Sequence, residues 1–215
     1  MKIVSVNIGL PREVVWKGIT VQTAIFKEPV AGAVPIRELN LAGDQQADLI
    51  VHGGPEKAVY AYPAEHYEYW RKQLSDGSLS WGAFGENLTT EGLWEDKLGI
   101  GDILRVGFAI LQITQPRMPC YKLELRFNRD DMIKRFLLSG RSGFYFAVIE
   151  RGDVAAGSKL EILDRDPDRI TVSDIVRLYL GQTRDPELLQ RATNLGPLPE
   201  NWKTQLLLRA QNQVN

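Results

Sequence analysis

The sequence predicts a mainly β fold: a small barrel or sandwich with inserted short helices, followed by a separate three-helix tail. Two observations carry this. Short runs rich in β-branched residues alternate in polarity and are cut by Gly, Pro and Asp. After Leu163 the pattern changes to three amphipathic helical stretches, each with its own start signal.

In chain order, Lys2–Ile8 and Thr20–Phe26 alternate as strands, and Lys57–Tyr62 is a third. Ile103–Val106 and Phe108–Gln115 flank Gly107 and read as a pair. Gly143–Glu150 and Lys159–Leu163 complete the set. Pro63 stands where a proline opens a helix, ahead of AEHYEYWRKQL. A helix is expected to start near Pro119, and another at MIKRFLL between Asp130-Asp131 and Gly140. DRDPDR, from Asp164, reads as a polar linker, which places a β domain at 1–164 and a helical extension at 165–215. In that extension Ser173 can cap DIVRLYL, Asp185-Pro186-Glu187 starts LLQRAT, and Pro199-Glu200 starts NWKTQLLLRAQ.

Composition narrows the chemistry. The chain has 215 residues, enough for a real core without staples, with 44% hydrophobic and 25% charged residues. One Cys excludes an internal disulfide, a four-cysteine zinc site and a four-cysteine cluster. Two His, His52 and His66, exclude a three-histidine zinc site. The expected compartment is a reducing cytoplasm. Net charge is −1, so no global field draws the chain to nucleic acid or to a membrane, and no apolar run is long enough to span one. Locally the charge is uneven. Glu38–Asp102 holds 12 acidic and 4 basic residues, whereas Arg117–Arg141 holds 3 acidic and 7 basic residues and contains Cys120.

Cys120 stands in QPRMPCYK, residues 115–122. A strand runs in, two prolines stiffen the turn, and a helix leaves. In a first helical turn, unpaired N–H groups and nearby Arg117 and Lys122 would favour a thiolate, which is a nucleophile and a soft metal ligand. The plainer role is a small buried hydrophobe. In HGGPEK, residues 52–57, paired glycines let the backbone approach an anion, with Lys57 as a point charge. A tight hairpin turn is the alternative. Glu86 and Asn87 in FGENL and Asp102 in GIGD are further polar candidates beside strands, with turn chemistry as their plainer role. The five tryptophans read as core or cleft packing, and His66 as a packing or surface histidine.

Taken together, five segments resemble the MOSC domain, the module also found at the C-terminus of molybdenum-cofactor sulfurases. They are GDQQADLIVHGGPEKAVYAYPAEHY, FGENLTT, LGIGDILRVG, PRMPCYK and GFYFAVIERGDVAAGSKLEIL, in that order. The tail, with TVSDIVRLYLG, DPELLQRA and Asn201-Trp202, resembles the three-helix extension of the YiiM-type branch, whose members protect against N-hydroxylated purine analogues. The resemblance implies a pyruvate-kinase-like β-barrel that binds the molybdenum cofactor, Mo-molybdopterin. Cys120 would be the protein ligand to molybdenum. His52, Gly53, Lys57, Arg117 and Lys122 would lie near the cofactor or its phosphate, and Asn87 and Asp102 would line or support the cleft. Lys27 and Asp44 fall in family-like stretches without an assigned role. The implied activity is reduction of N-hydroxylated small molecules, with electrons from a separate flavin reductase. The alternative is a non-catalytic carrier of molybdopterin or of persulfide sulfur. With no pyridoxal-phosphate desulfurase domain in this sequence, sulfur generation is not expected. The resemblance also leaves room for a homodimer.

Overall fold

The computed structural model describes residues 1–47, 53–75 and 78–212. The chain opens with β1 (Lys2–Ile8), a hairpin of β2 (Arg12–Trp16) and β3 (Ile19–Thr23), then short β4 (Glu28–Pro29) and β5 (Val34–Ile36). A 3₁₀ turn at Pro55–Lys57 leads into β6 (Val59–Pro63), α1 (Glu65–Leu74) and β7 (Leu88–Glu91). Next come β8 (Ile103–Val106), β9 (Ala109–Pro116), α2 (Tyr121–Phe127) and α3 (Met132–Ser139). The last strands are β10 (Phe144–Glu150), β11 (Gly152–Val154) and β12 (Leu160–Asp164), followed by α4 (Val172–Tyr179), α5 (Pro186–Asn194) and α6 (Glu200–Asn212).

The main sheet runs β12-β8-β9-β10-β6-β7-β1-β4, antiparallel throughout except for β6 with β7. Its ends meet. Ile3 N donates to Ser158 O at 2.9 Å, and Leu160 N donates to Met1 O at 3.1 Å, so β1 and the run into β12 close the sheet on itself. Closure removes the exposed edges that an open sheet presents. The period-two pattern then decides what fills the interior: Leu104 and Val106 of β8, and Ala109, Leu111 and Ile113 of β9, all point inward and are fully buried. Gly107 makes the β8–β9 turn at φ +60°, and a Cβ there would sit 2.7 Å from the Asp153 carbonyl, so only glycine fits.

Several boundaries differ from the sequence expectation. The expected strand over Thr20–Phe26 ends at Thr23, because its partner is the preceding strand β2 and the hairpin is spent at the Arg12–Thr23 pair. Lys57 belongs to the 3₁₀ turn, since Pro55 has already set a helical φ. Pro63 ends β6, pairing beside Thr90, and α1 starts two residues later. Thr171 rather than Ser173 caps α4, in a reciprocal capping box with Asp174. Asp185 caps α5 as expected.

The helical tail has no separate core. Ile175, Leu178, Ala192, Leu198, Trp202 and Leu206 belong to the same buried cluster as the barrel interior. A second cluster, mostly aromatic, sits where α1, α2 and α3 cover the barrel wall. Tyr62 stacks on Phe84 at 4.7 Å and accepts a hydrogen bond from Trp70 Nε1 at 2.7 Å. Tyr67 donates to the buried Glu86, and Tyr60 donates to Ser142 O at 2.9 Å.

Burial raises the phenol pKa of Tyr60, Tyr62 and Tyr67 well above the ordinary 10. Above pH 10 the unfolded chain sheds these protons while the native state keeps them. The native state then binds more protons, so stability is full below about pH 10 and falls as pH rises through the window above it. The expected slope is about 1.4 kcal/mol per pH unit for each buried phenol. Urea unfolding between pH 9 and 11 measures it, and Tyr62→Phe should flatten the slope.

Candidate functional site

Thr23 at the end of β3, Tyr60 of β6, Tyr145 of β10, the run that leaves β9 and the loop segments around Ile25, Lys27 and 44–47 surround a cavity of about 100 Å³. One wall is a buried polar network. Lys27 pairs with Asp44, and both are nearly inaccessible to solvent. Asp44 also accepts from Gly9 N at 2.8 Å and from Asn87 Nδ2 at 2.9 Å. Asn87 in turn accepts from Tyr60 N at 3.1 Å, which fixes its amide. Burial pulls the Lys27 ammonium down in pKa, against the opposing pull of Asp44.

The opposite wall comes from the end of β9. Arg117 is 6% exposed and lies over the rings of Tyr60 and Phe136, 5.5 and 5.0 Å from their centroids. Its positive charge also opposes the rise that burial gives the Tyr145 phenol pKa. Arg117 Nη1 is buried and has no hydrogen-bond partner among the described residues. Burying a charged donor without a partner is costly, so this atom marks a position for an acceptor. Lys122, buried in the first turn of α2, lines the same cavity. Lys57 joins them from the 3₁₀ turn, with burial lowering its pKa against the charge of Glu56.

Cys120 borders this cavity and is partly exposed. It is the N-cap of α2, with extended φ −131° and ψ 174°, and its side chain makes no capping bond. The expectation of a place inside the first helical turn is thus corrected by one residue. Pro116 and Pro119 hold this run extended, so helical backbone begins only at Tyr121. A second cavity, of about 340 Å³, lies on the other side of Cys120. The two share Lys57, Met118, Cys120 and Tyr145.

Of the sequence candidates, the structure brings Cys120, Lys57, Asn87, Arg117 and Lys122 to one cleft. His52 lies outside the described residues. Gly53 lines neither cavity, although its neighbour Gly54 turns the chain at φ +103°. Asp102 is not in the cleft. It is fully buried at the joint between barrel and tail, where it accepts from Gly99 N at 2.9 Å, Asp166 N at 3.0 Å and Arg165 Nη1 at 2.7 Å. Those bonds occupy its oxygens, so its role is to hold the linker. His66 is a satisfied core histidine bonded to Glu95 at 2.9 Å. Residues without an assigned role in sequence, Lys27 and Asp44, form the cavity wall. Trp202 reaches the cleft from α6, and its Nε1 donates to Gln115 Oε1 at 2.8 Å. In sequence it stood only as a packing aromatic and as part of the Asn201-Trp202 pair in the family-like tail.

A closed barrel with a cationic, cysteine-bordered cleft defines a MOSC-type module, and the comparisons agree. The MOSC domain model matches residues 48–161, and the model of the YiiM-like 3-alpha helix domain matches 170–212. The chain belongs to the MOSC family, in its YiiM-like branch. It is 40% identical over 205 residues to the uncharacterized protein YflK of Bacillus subtilis, covering 95% of this chain and 92% of that one. It is 38% identical to YiiM of Escherichia coli, covering 84% and 81%. A protein named Reductase from Gibberella moniliformis is 32% identical over 81% of this chain, which spans 32% of that protein. The solved structure of YiiM from Geobacillus stearothermophilus superposes with a TM-score of 0.80 at 32% identity, over 97% and 98% of the two chains.

Removing one member of a buried ion pair leaves the other uncompensated. Asp44→Ala should therefore destabilise the fold by roughly 3–5 kcal/mol in urea unfolding. The double variant Lys27→Met/Asp44→Leu should recover part of that loss. Recovery stays incomplete because Gly9 N and Asn87 Nδ2 still lack their acceptor.

Proposed function

We propose that this protein is a molybdenum-cofactor-dependent reductase of N-hydroxylated compounds such as N-hydroxylaminopurines, acting in the cytoplasm to remove toxic base analogues. The observation that carries this reading is the orphaned, buried Arg117 Nη1 in a cavity that Cys120 borders. The donor set fits the cofactor. Among the described residues, no three His, Cys, Asp or Glu gather to hold an ion. One cysteine suits a metal group that brings most of its own ligands, and buried cations suit its phosphate. When bound, the cofactor supplies the two-electron chemistry that no side chain here can perform.

The chain's own residues then have distinct tasks. Cys120 would supply the protein sulfur to the metal. Arg117 and Lys122 would hold the phosphate, with the rings of Tyr60 and Phe136 against the Arg117 guanidinium. Asn87, locked between Tyr60 N and Asp44, presents a fixed wall. The net reaction converts one N-hydroxyl group, two electrons and two protons to an amine and water. The electrons come from a separate flavin reductase. The fungal relative named Reductase supports this class of activity. Among the described residues no helix is long and apolar enough to cross a membrane.

Purification from a cofactor-competent host, with metal analysis beside a turnover assay, tests the reading. The wild type should carry about one molybdenum per chain and reduce 6-hydroxylaminopurine catalytically when given a reductant. Cys120→Ala should lose more than the roughly 100-fold typical of outer-shell partners of a metal. A wild type without molybdenum, or a variant of unchanged rate, overturns it. Stoichiometric transfer without turnover would instead mark a carrier.

A further inference from the structure

The cleft has two chambers, and the helical tail builds part of the larger one. The chamber of about 340 Å³ is of small-ligand size, whereas the one between Arg117 and Asp44 holds about 100 Å³. Its flat apolar faces come from Pro116, Met118, Pro119, Tyr145 and Trp202. Trp202 is a fixed wall. Its indole N–H is spent on the buried Gln115, and the ring packs at 5.5 Å against Tyr179. The rim of the same wall carries Asn201 and Gln205, both exposed. They stand at i and i+4, so they share one face of α6. Each amide offers both donors and an acceptor, and neither adds charge. The nearby charges of α6, Lys203 and Glu200, are paired with each other at 2.7 Å.

We propose that this second chamber is the substrate site and that α6 is its specificity wall. Trp202 would provide a stacking face, and Asn201 and Gln205 would read the edge of a neutral, planar heteroaromatic ring. The ring's exocyclic N-hydroxyl would then face Cys120, one of the four residues that border both chambers. The assignment of the chambers rests on the cofactor reading above. The recognition of a ring by α6 has a readout of its own.

Two measurements separate them. The first is calorimetric binding of adenine, the deoxygenated form of 6-hydroxylaminopurine, to the purified protein. The second is steady-state turnover of 6-hydroxylaminopurine beside hydroxylamine, which has no ring. Asn201→Leu/Gln205→Leu alters exposed side chains, and circular dichroism and molybdenum content should match the wild type. Two lost hydrogen bonds should weaken adenine binding and raise KM for the purine roughly tenfold or more, while kcat changes little. The selectivity for purine over hydroxylamine should fall by the same factor. The single variants Asn201→Ala and Gln205→Ala should each give part of the effect, which keeps the test informative should the double variant misfold. Unchanged adenine binding and unchanged selectivity in a molybdenum-loaded variant overturn the specificity wall and leave the cofactor reading intact. Adenine binding that weakens in the variant of a molybdenum-free protein supports the wall and removes the cofactor reading. Absence of adenine binding together with absence of molybdenum removes both.

Discussion

The cleft depends on where β9 stops pairing. Its ladder with β10 runs to Pro116 opposite Phe144, where the proline offers no N–H, and ends on a long bond from Arg117 N to Gly143 O at 3.4 Å. Beyond Arg117 the chain leaves the barrel wall and carries Met118, Pro119 and Cys120 across the opening before α2 begins. The residue just before the break, Gln115, faces two ways. Its Nε2 donates to Glu56 O at 3.2 Å, and its Oε1 accepts from Trp202. Thr114 Oγ1 bonds the same Glu56 carbonyl at 2.6 Å. One strand end thus fixes the 3₁₀ turn that carries Lys57, the helix that carries Trp202, and the lead into Cys120.

Around this end the protein places charge where charge is expensive. Lys27 and Asp44 neutralise each other, and Asn87 and Gly9 satisfy the remaining carboxylate positions. Among the described residues no buried side-chain atom of that network is left without a partner, and this makes it rigid. Arg117 is different. Its aromatic neighbours and Tyr145 offset part of the desolvation cost, but one terminal nitrogen is left over. On the proposed reading, a closed polar wall faces an open one, and an anion there completes the hydrogen bonding.

Much of the fold was legible from local pattern. Inward and outward residues alternate along β8, so its limits could be read directly, and Asp185-Pro186 marked the start of α5. The misplacements share a cause: a neighbour that sequence alone does not show. Thr20–Phe26 alternates to its end, but β2 offers partners only as far as Thr23. Ser173 and Thr171 are both good caps, and Asp174 selects the threonine by completing the box. In the cleft, cations close to Cys120 in sequence were legible because a short turn must keep them near it. Lys27 and Asp44 were not, because only barrel closure brings segments 17 residues apart against Asn87. Asp102 resembled a cleft acid until its three donors were seen at the linker.

The tail shows why one wall of the larger chamber can lie so far along the chain from the cysteine. A helix that merely rested on the barrel would place Asn201 and Gln205 imprecisely. Here α4, α5 and α6 share the barrel's own buried cluster, so moving them would open the core. The linker is held as well. Arg165 and Asp166 bond Asp102, and Ile100 N donates to Ile170 O at 2.9 Å. Trp202 completes the connection by lending its N–H to the strand end that leads into Cys120. The distance between the two walls of the larger chamber is therefore set by core packing and one buried hydrogen bond. On the proposed reading, a chamber held this way selects by shape and edge chemistry before any reaction occurs.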